Sequence, residues 1–310
     1  MQSVLRAILR GALRAFFRGV IGLPAPEGFQ RVWMRIVTGT TLRARGTRSE
    51  PVSAPVPGVW ERPATGGAAD RVTLYLHGGG YTLGSHATHT AITSSLAKAT
   101  GASVLVPDYR LAPEHPYPAP LDDALAAYQS LLGRFPAHAI AVAGDSAGGN
   151  LALLLVLALR DRGLPLPSSV LLLSPWTDLT LSGESVSRLA DADPLLSRAW
   201  LERASPAFRG PIAADDPRVS PLFADLRGLP RTLIQVGSDE ILLSDSERFA
   251  ERARAAGVDL HLEIEPGLWH DFQIHAGVLH VADAAVARLA KFLADGWAAG
   301  ASRRPQSAAA

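Results

Sequence analysis

From Val72 onward, short β-branched or aliphatic runs alternate with helical patterns, and that rhythm leaves few architectures open. The runs Val72–Leu76, Ser103–Val106, Ile140–Ala143, Val170–Leu173, Thr232–Val236 and Leu260–Ile264 are predicted strands. Between them, His89–Ala99, Ala119–Leu132, Ala147–Arg160, Ser246–Ala256 and Ala276–Leu293 carry apolar residues at helical spacing. Such alternation implies an α/β protein with a mostly parallel sheet, helices on both faces and right-handed crossovers. Ligands of sheets of this kind bind beyond the C-terminal ends of the strands.

Two segments depart from the rhythm. Gly183 to Asp225 is longer than an ordinary connection, rich in Pro, Asp and Arg, and holds a short helical piece near Leu196–Phe208. Residues 1–45 are helical and precede the sheet, so together with the insertion at about 183–225 they are expected to form a cap over the site. The catalytic domain then spans 46–297. Residues 298–310 form a tail, small and polar from Gly300 onward and expected to fray.

The first helix is amphipathic in an unusual way. Leu5, Ile8, Leu9, Leu13, Phe16, Phe17 and Val20 recur at helical spacing, while Arg6, Arg10, Arg14 and Arg18 form a basic stripe. An arginine every fourth position interrupts the apolar core of a secretory signal and the run of about 20 apolar residues of a membrane span. A soluble, unprocessed, cytoplasmic protein is expected, whose helix lays its apolar face on the body of the protein. Contact with a membrane surface is the alternative.

The formal net charge of +1 gives no reason to expect nucleic acid as a partner. With no cysteine, disulfides, a thiol nucleophile and thiolate metal sites are excluded. Chemistry must come from oxygen and nitrogen groups.

The strongest local motif is Gly144-Asp145-Ser146-Ala147-Gly148, a G-x-S-x-G that follows a predicted strand and opens a predicted helix. The sharp turn presents the serine hydroxyl above the sheet, and the helix starting at Ala147 aims free N–H groups at any anion formed there. His77-Gly78-Gly79-Gly80 follows the strand Val72–Leu76. Its backbone amides are suited to the other half of an oxyanion hole, with Gly79 the leading donor, Gly78 or Gly80 beside it, and Ala147 across from them. His77 itself is expected to be structural.

Serine needs a base, and of nine histidines His270 has the right place, in the loop after the last predicted strand. The expected acid is Asp239, after Thr232–Val236, with neighbouring Glu240 and with Asp178 as rivals. His86 and His89 have metal-like spacing without nearby carboxylate ligands, so no metal site is expected. Tyr81, Trp176, Trp269 and Phe272 flank these loops and are candidates for an apolar substrate pocket, with core packing as the alternative for each.

Taken together, these residues resemble the bacterial hormone-sensitive-lipase-like carboxylesterases of the α/β-hydrolase superfamily. The similarity runs from roughly Val72 to Leu293. It includes Gly144 to Gly149, His77 to Gly80, Asp108 to Glu114, Pro118 to Asp123, and Asp239 with His270. The resemblance implies an α/β-hydrolase fold with a helical cap, no cofactor, and hydrolysis of short- or medium-chain acyl esters. A small-molecule ester would be the principal partner, with a homodimer open. The loop Ser238 to Leu243 departs from the commoner D-P-L form and looks like that of acetyl or lactone hydrolases. A lactone hydrolase, an acetyl hydrolase or acyltransferase, and a non-catalytic receptor on the same fold are the alternatives.

Overall fold

The computed structural model of the chain describes residues 1–302. Eight strands form one sheet: β1 (Thr47–Val52), β2 (Gly58–Pro63), β3 (Ala68–Leu76), β4 (Ala102–Pro107), β5 (Ile140–Asp145), β6 (Ser169–Leu173), β7 (Thr232–Gly237) and β8 (Leu260–Glu265). Their order is β1-β2-β4-β3-β5-β6-β7-β8. Only β2 runs against its neighbours; every pair from β4 to β8 is parallel.

The helices are α1 (Gln2–Ala12), α2 (Glu27–Thr38), α3 (Thr90–Thr100), α4 (Ala119–Leu132), α5 (Ser146–Asp161), α6 (Arg198–Arg209), α7 (Leu243–Ala255) and α8 (His280–Ser302). A π-helical stretch, Leu13–Arg18, and one further turn, Gly19–Ile21, prolong α1. The tail expected to fray is helical as far as Ser302, and 303–310 lie outside the described residues. Among the described residues no helix is long and apolar enough to cross a membrane.

The period-2 side-chain rule divides the core. Val72, Leu74, Leu76, Ile140 and Val142 point to the layer holding α4, α5 and α7, whereas Tyr75, Ala141 and Ala143 point to the layer of α3 and α8. Strands β5, β6 and β7 are buried along their whole length, which is why they read as continuous apolar runs. The two strands not predicted, β1 and β2, carry Pro51, Glu50, Glu61 and Pro63. At the edge strand β1 proline and charge are tolerated because one side of the ladder needs no partner, while β2, paired on both sides, keeps Glu61 buried against Arg43 and Ser49, and these residues hide the strand signal.

Candidate active site

The end of β5 turns directly into α5. Ser146 sits at φ 53°, a left-handed conformation uncommon for a residue with a side chain. Close approach makes the flanking glycine necessary: a Cβ on Gly148 would overlap the Leu76 carbonyl of the neighbouring strand. Gly79 has φ 116°, and a Cβ there would meet the Leu83 carbonyl. Among the described residues, the amides of Gly78, Gly79 and Gly80 donate to no backbone carbonyl. Gly79 lines the same small cavity, of about 60 Å³, as Ser146 and His270.

Asp145 also faces this cavity, and its charge is contained. Its carboxylate accepts a hydrogen bond from the Tyr75 hydroxyl at 2.7 Å and lies 3.1 Å from His89 Nε2. Burial opposes the charged form, yet His89 and Tyr75 hold the carboxyl below its ordinary value. His89 is thereby explained without metal, and His86 pairs separately with Asp108 at 2.6 Å. His77 is buried, stacks on Tyr109 at 4.2 Å between ring centroids, and is pushed by burial to a pKa of about 4. It packs as a neutral ring.

The expected acid requires correction. Asp239 does not touch His270: its Oδ2 accepts from Arg10 Nη2 at 2.6 Å, and its side chain is 28% exposed. The partner of His270 Nδ1 is Glu240 Oε1 at 3.1 Å. Glu240 is fully buried, and its Oε2 accepts from the Ser174 hydroxyl at 2.8 Å and the Gly237 amide at 2.9 Å. The tight turn after β7 separates the two neighbours. The Asp239 amide is tied to the Leu268 carbonyl and its side chain faces α1, while the longer Glu240 side chain folds back under the end of β7. Asp178, the other rival, is bound by Arg248, Thr180 and Ser182.

A residue that sequence reasoning missed meets the other ring nitrogen. Asp271 Oδ2 lies 3.1 Å from His270 Nε2, the nitrogen that would take a proton from Ser146. Asp271 has φ 53° and lines the cavity. Burial raises its pKa. Burial also opposes a charged His270, but the carboxylates of Asp271 and Glu240 on its two nitrogens outweigh this and hold the imidazole well above 6.5. Activity that needs a neutral His270 is therefore lost as pH falls through that raised value. In Asp271→Asn one of the two carboxylates is gone, so the acid limb of kcat/KM is expected to move to lower pH. A pH–rate profile measures it; an unmoved limb would show that Asp271 does not set the state of His270.

The four aromatic candidates also require correction, because none of them lines the cavity. Tyr81 stacks on Phe208 at 3.4 Å and donates to Asn150 Oδ1 at 2.6 Å. Trp176 donates to the Asp178 carbonyl, and Phe272 is packed beneath the loops. Trp269 is likewise buried, with the Arg10 guanidinium 5.5 Å from its ring. Large rings beside the loops that carry Ser146 and His270 serve as their foundation here. The apolar wall is made instead by Phe17, Met34, Ile92, Leu196, Trp200 and Ile274. Phe17, Thr38, Leu195 and Ile274 also wall a second, apolar groove of about 320 Å³ between the α1 extension and α2, so the two spaces adjoin.

The basic stripe of α1 faces inward. Arg10 reaches Asp239 and the carbonyls of Ala192 and Gly267, Arg14 the carbonyl of Asp191, and Arg18 that of Asp193. These bonds fasten the N-terminal helix to the insertion. Asp193 in turn accepts from the amides of Leu195, Leu196 and Ile241.

Residues 73–274 match a family described as alpha/beta hydrolase fold. The chain is 42% identical over 254 residues to an esterase of Acinetobacter venetianus, covering 81% of this chain and 80% of the relative. An acetyl-hydrolase of Streptomyces hygroscopicus is 42% identical over 224 residues, covering 71% and 73%. A crystal structure of an esterase from the bacterial hormone-sensitive lipase family superposes with a TM-score of 0.90 at 38% identity, covering 94% of this chain and 98% of the other. The chain belongs to the α/β-hydrolase fold and, within it, to the carboxylic ester hydrolases of the bacterial hormone-sensitive lipase family.

Proposed function

We propose that the protein hydrolyses short- to medium-chain acyl esters through Ser146, His270 and Glu240. The observation that carries this reading is the His270 ring, held at Nδ1 by a buried carboxylate and placed in one cavity with the serine of a strained strand-to-helix turn. Ser146 Oγ attacks the ester carbonyl and its proton passes to His270 Nε2, with Asp271 giving up that nitrogen. Glu240 fixes the tautomer and stabilises the charged ring. The amides of Gly79 and Ala147, with Gly78 or Gly80, hold the oxyanion, each donor contributing about 2.7–4 kcal/mol. His270 returns the proton to the leaving alcohol, and water then cleaves the acyl-enzyme by the same route. Residues 1–45 and 183–225 act as the cap.

The small niche at Ser146, opening into an apolar groove, supports an acyl chain of limited length. Each methylene buried there is worth about 0.8 kcal/mol, or roughly fourfold in kcat/KM. p-Nitrophenyl butyrate, two methylenes longer, is therefore expected to exceed the acetate by about fifteenfold. Assay of the acetate, butyrate and decanoate beside a seven-membered lactone tests this. A preference for acetate would assign an acetyl hydrolase, and faster lactone turnover a lactone hydrolase.

A further inference from the structure

Among the described residues, nine of the ten large apolar side chains that stand exposed lie within the first 42; Val4, Ile8, Phe16, Phe29, Val32 and Ile36 are six of them. The inward stripe of arginines explains why. Arg10, Arg14 and Arg18 bind the body of the protein, so α1 turns a second apolar row, begun by Val4 and Ile8, to solvent. Phe16 and Ile36, 58% and 60% exposed, line the apolar groove that adjoins the Ser146 cavity. The same 42 residues hold six arginines and one glutamate, a net charge of +5, while the rest of the chain carries −4. Arg10 and Arg31 are paired with Asp239 and Glu114. Arg14 and Arg18 donate to carbonyls, which anchor a guanidinium without neutralising it.

We propose that this face docks the enzyme on an anionic lipid surface, with the groove between the α1 extension and α2 opening toward the membrane. An apolar row flanked by uncompensated arginines is what a helix needs to lie in the headgroup region of anionic lipid. A second copy of the chain is disfavoured as the occupant, since a two-fold contact would oppose two faces that each keep a net positive charge after Arg10 and Arg31 are paired. An ester held in the bilayer would reach Ser146 through the groove without crossing water. Docking rests on the N-terminal face and stands independently of the triad.

The test is co-sedimentation of the full chain with phosphatidylcholine vesicles, with and without phosphatidylglycerol. Binding is expected with phosphatidylglycerol and to be about tenfold weaker without it or at high salt. The variant Ile8→Ser/Phe29→Ser/Val32→Ser, which touches neither cavity, is expected to lose binding by about tenfold or more while p-nitrophenyl butyrate hydrolysis in solution stays within about twofold. Retained hydrolysis shows that the variant is folded, and Ser146→Ala protein should bind vesicles as wild type does. Wild-type protein left in the supernatant with both vesicles, or a variant that still binds, would overturn the proposal. So would a wild-type dimer in analytical ultracentrifugation that the triple substitution dissociates, which would assign the face to a second copy.

Discussion

Ser146→Ala is expected to lower ester turnover by roughly 10⁴- to 10⁶-fold, the loss typical when a nucleophile acting as one unit with its base is removed. The change deletes a single oxygen in a buried turn, and alanine fills the same space, so the fold should persist. Ser146 is already at a positive φ, and alanine there meets the same backbone strain as serine. Residual hydrolysis above the water rate would come from the amides of the oxyanion hole and from binding alone. Turnover of p-nitrophenyl butyrate by purified variant and wild type measures the effect, and circular dichroism confirms the fold.

The second large effect separates two adjacent carboxylates. Glu240→Gln should reduce kcat by about 10⁴-fold, because an amide facing Nδ1 no longer stabilises the charged ring and can favour the wrong tautomer. Asp239→Asn should leave kcat within about threefold. Its carboxylate serves Arg10 at the surface, and partly exposed ion pairs contribute little. If Asp239→Asn were the damaging change and Glu240→Gln the mild one, the orientation of the turn after β7 would have to be reversed in the working enzyme. Steady-state kinetics of both variants at one pH decide between them.

The parallel core was legible because β5, β6 and β7 are buried on both faces and the helices between them keep their apolar period. The strand-to-helix turn at Ser146 was legible because a turn this tight needs glycine on either side. The carboxylate partner of His270 was not, since Asp239 and Glu240 both follow β7 and the turn there brings Asp239 to Arg10, 229 residues away in sequence, and Glu240 to the ring. Asp271 escaped notice because its contact with Nε2 depends on a left-handed backbone at an aspartate, and nothing in its neighbours requires that conformation. The aromatic residues misled for a related reason: being next to a catalytic residue in sequence says which loop a ring supports, whereas the cavity wall came from Phe17, Met34, Ile92 and Trp200, on other elements. The arginine stripe suggested a polar outer face, and only the carbonyls of Asp191, Ala192 and Asp193 reveal that it points inward.

Everything turns on whether an acyl group is carried by Ser146 during turnover. Mass spectrometry of protein quenched in acid during hydrolysis of p-nitrophenyl butyrate addresses this directly, with proteolysis to locate any added mass. A butyryl group is expected on the peptide holding Ser146, accumulating further in Glu240→Gln if deacylation slows more than acylation, and absent from Ser146→Ala. A butyryl group on another side chain, in protein whose Ser146→Ala variant keeps its hydrolysis, would contradict the assignment.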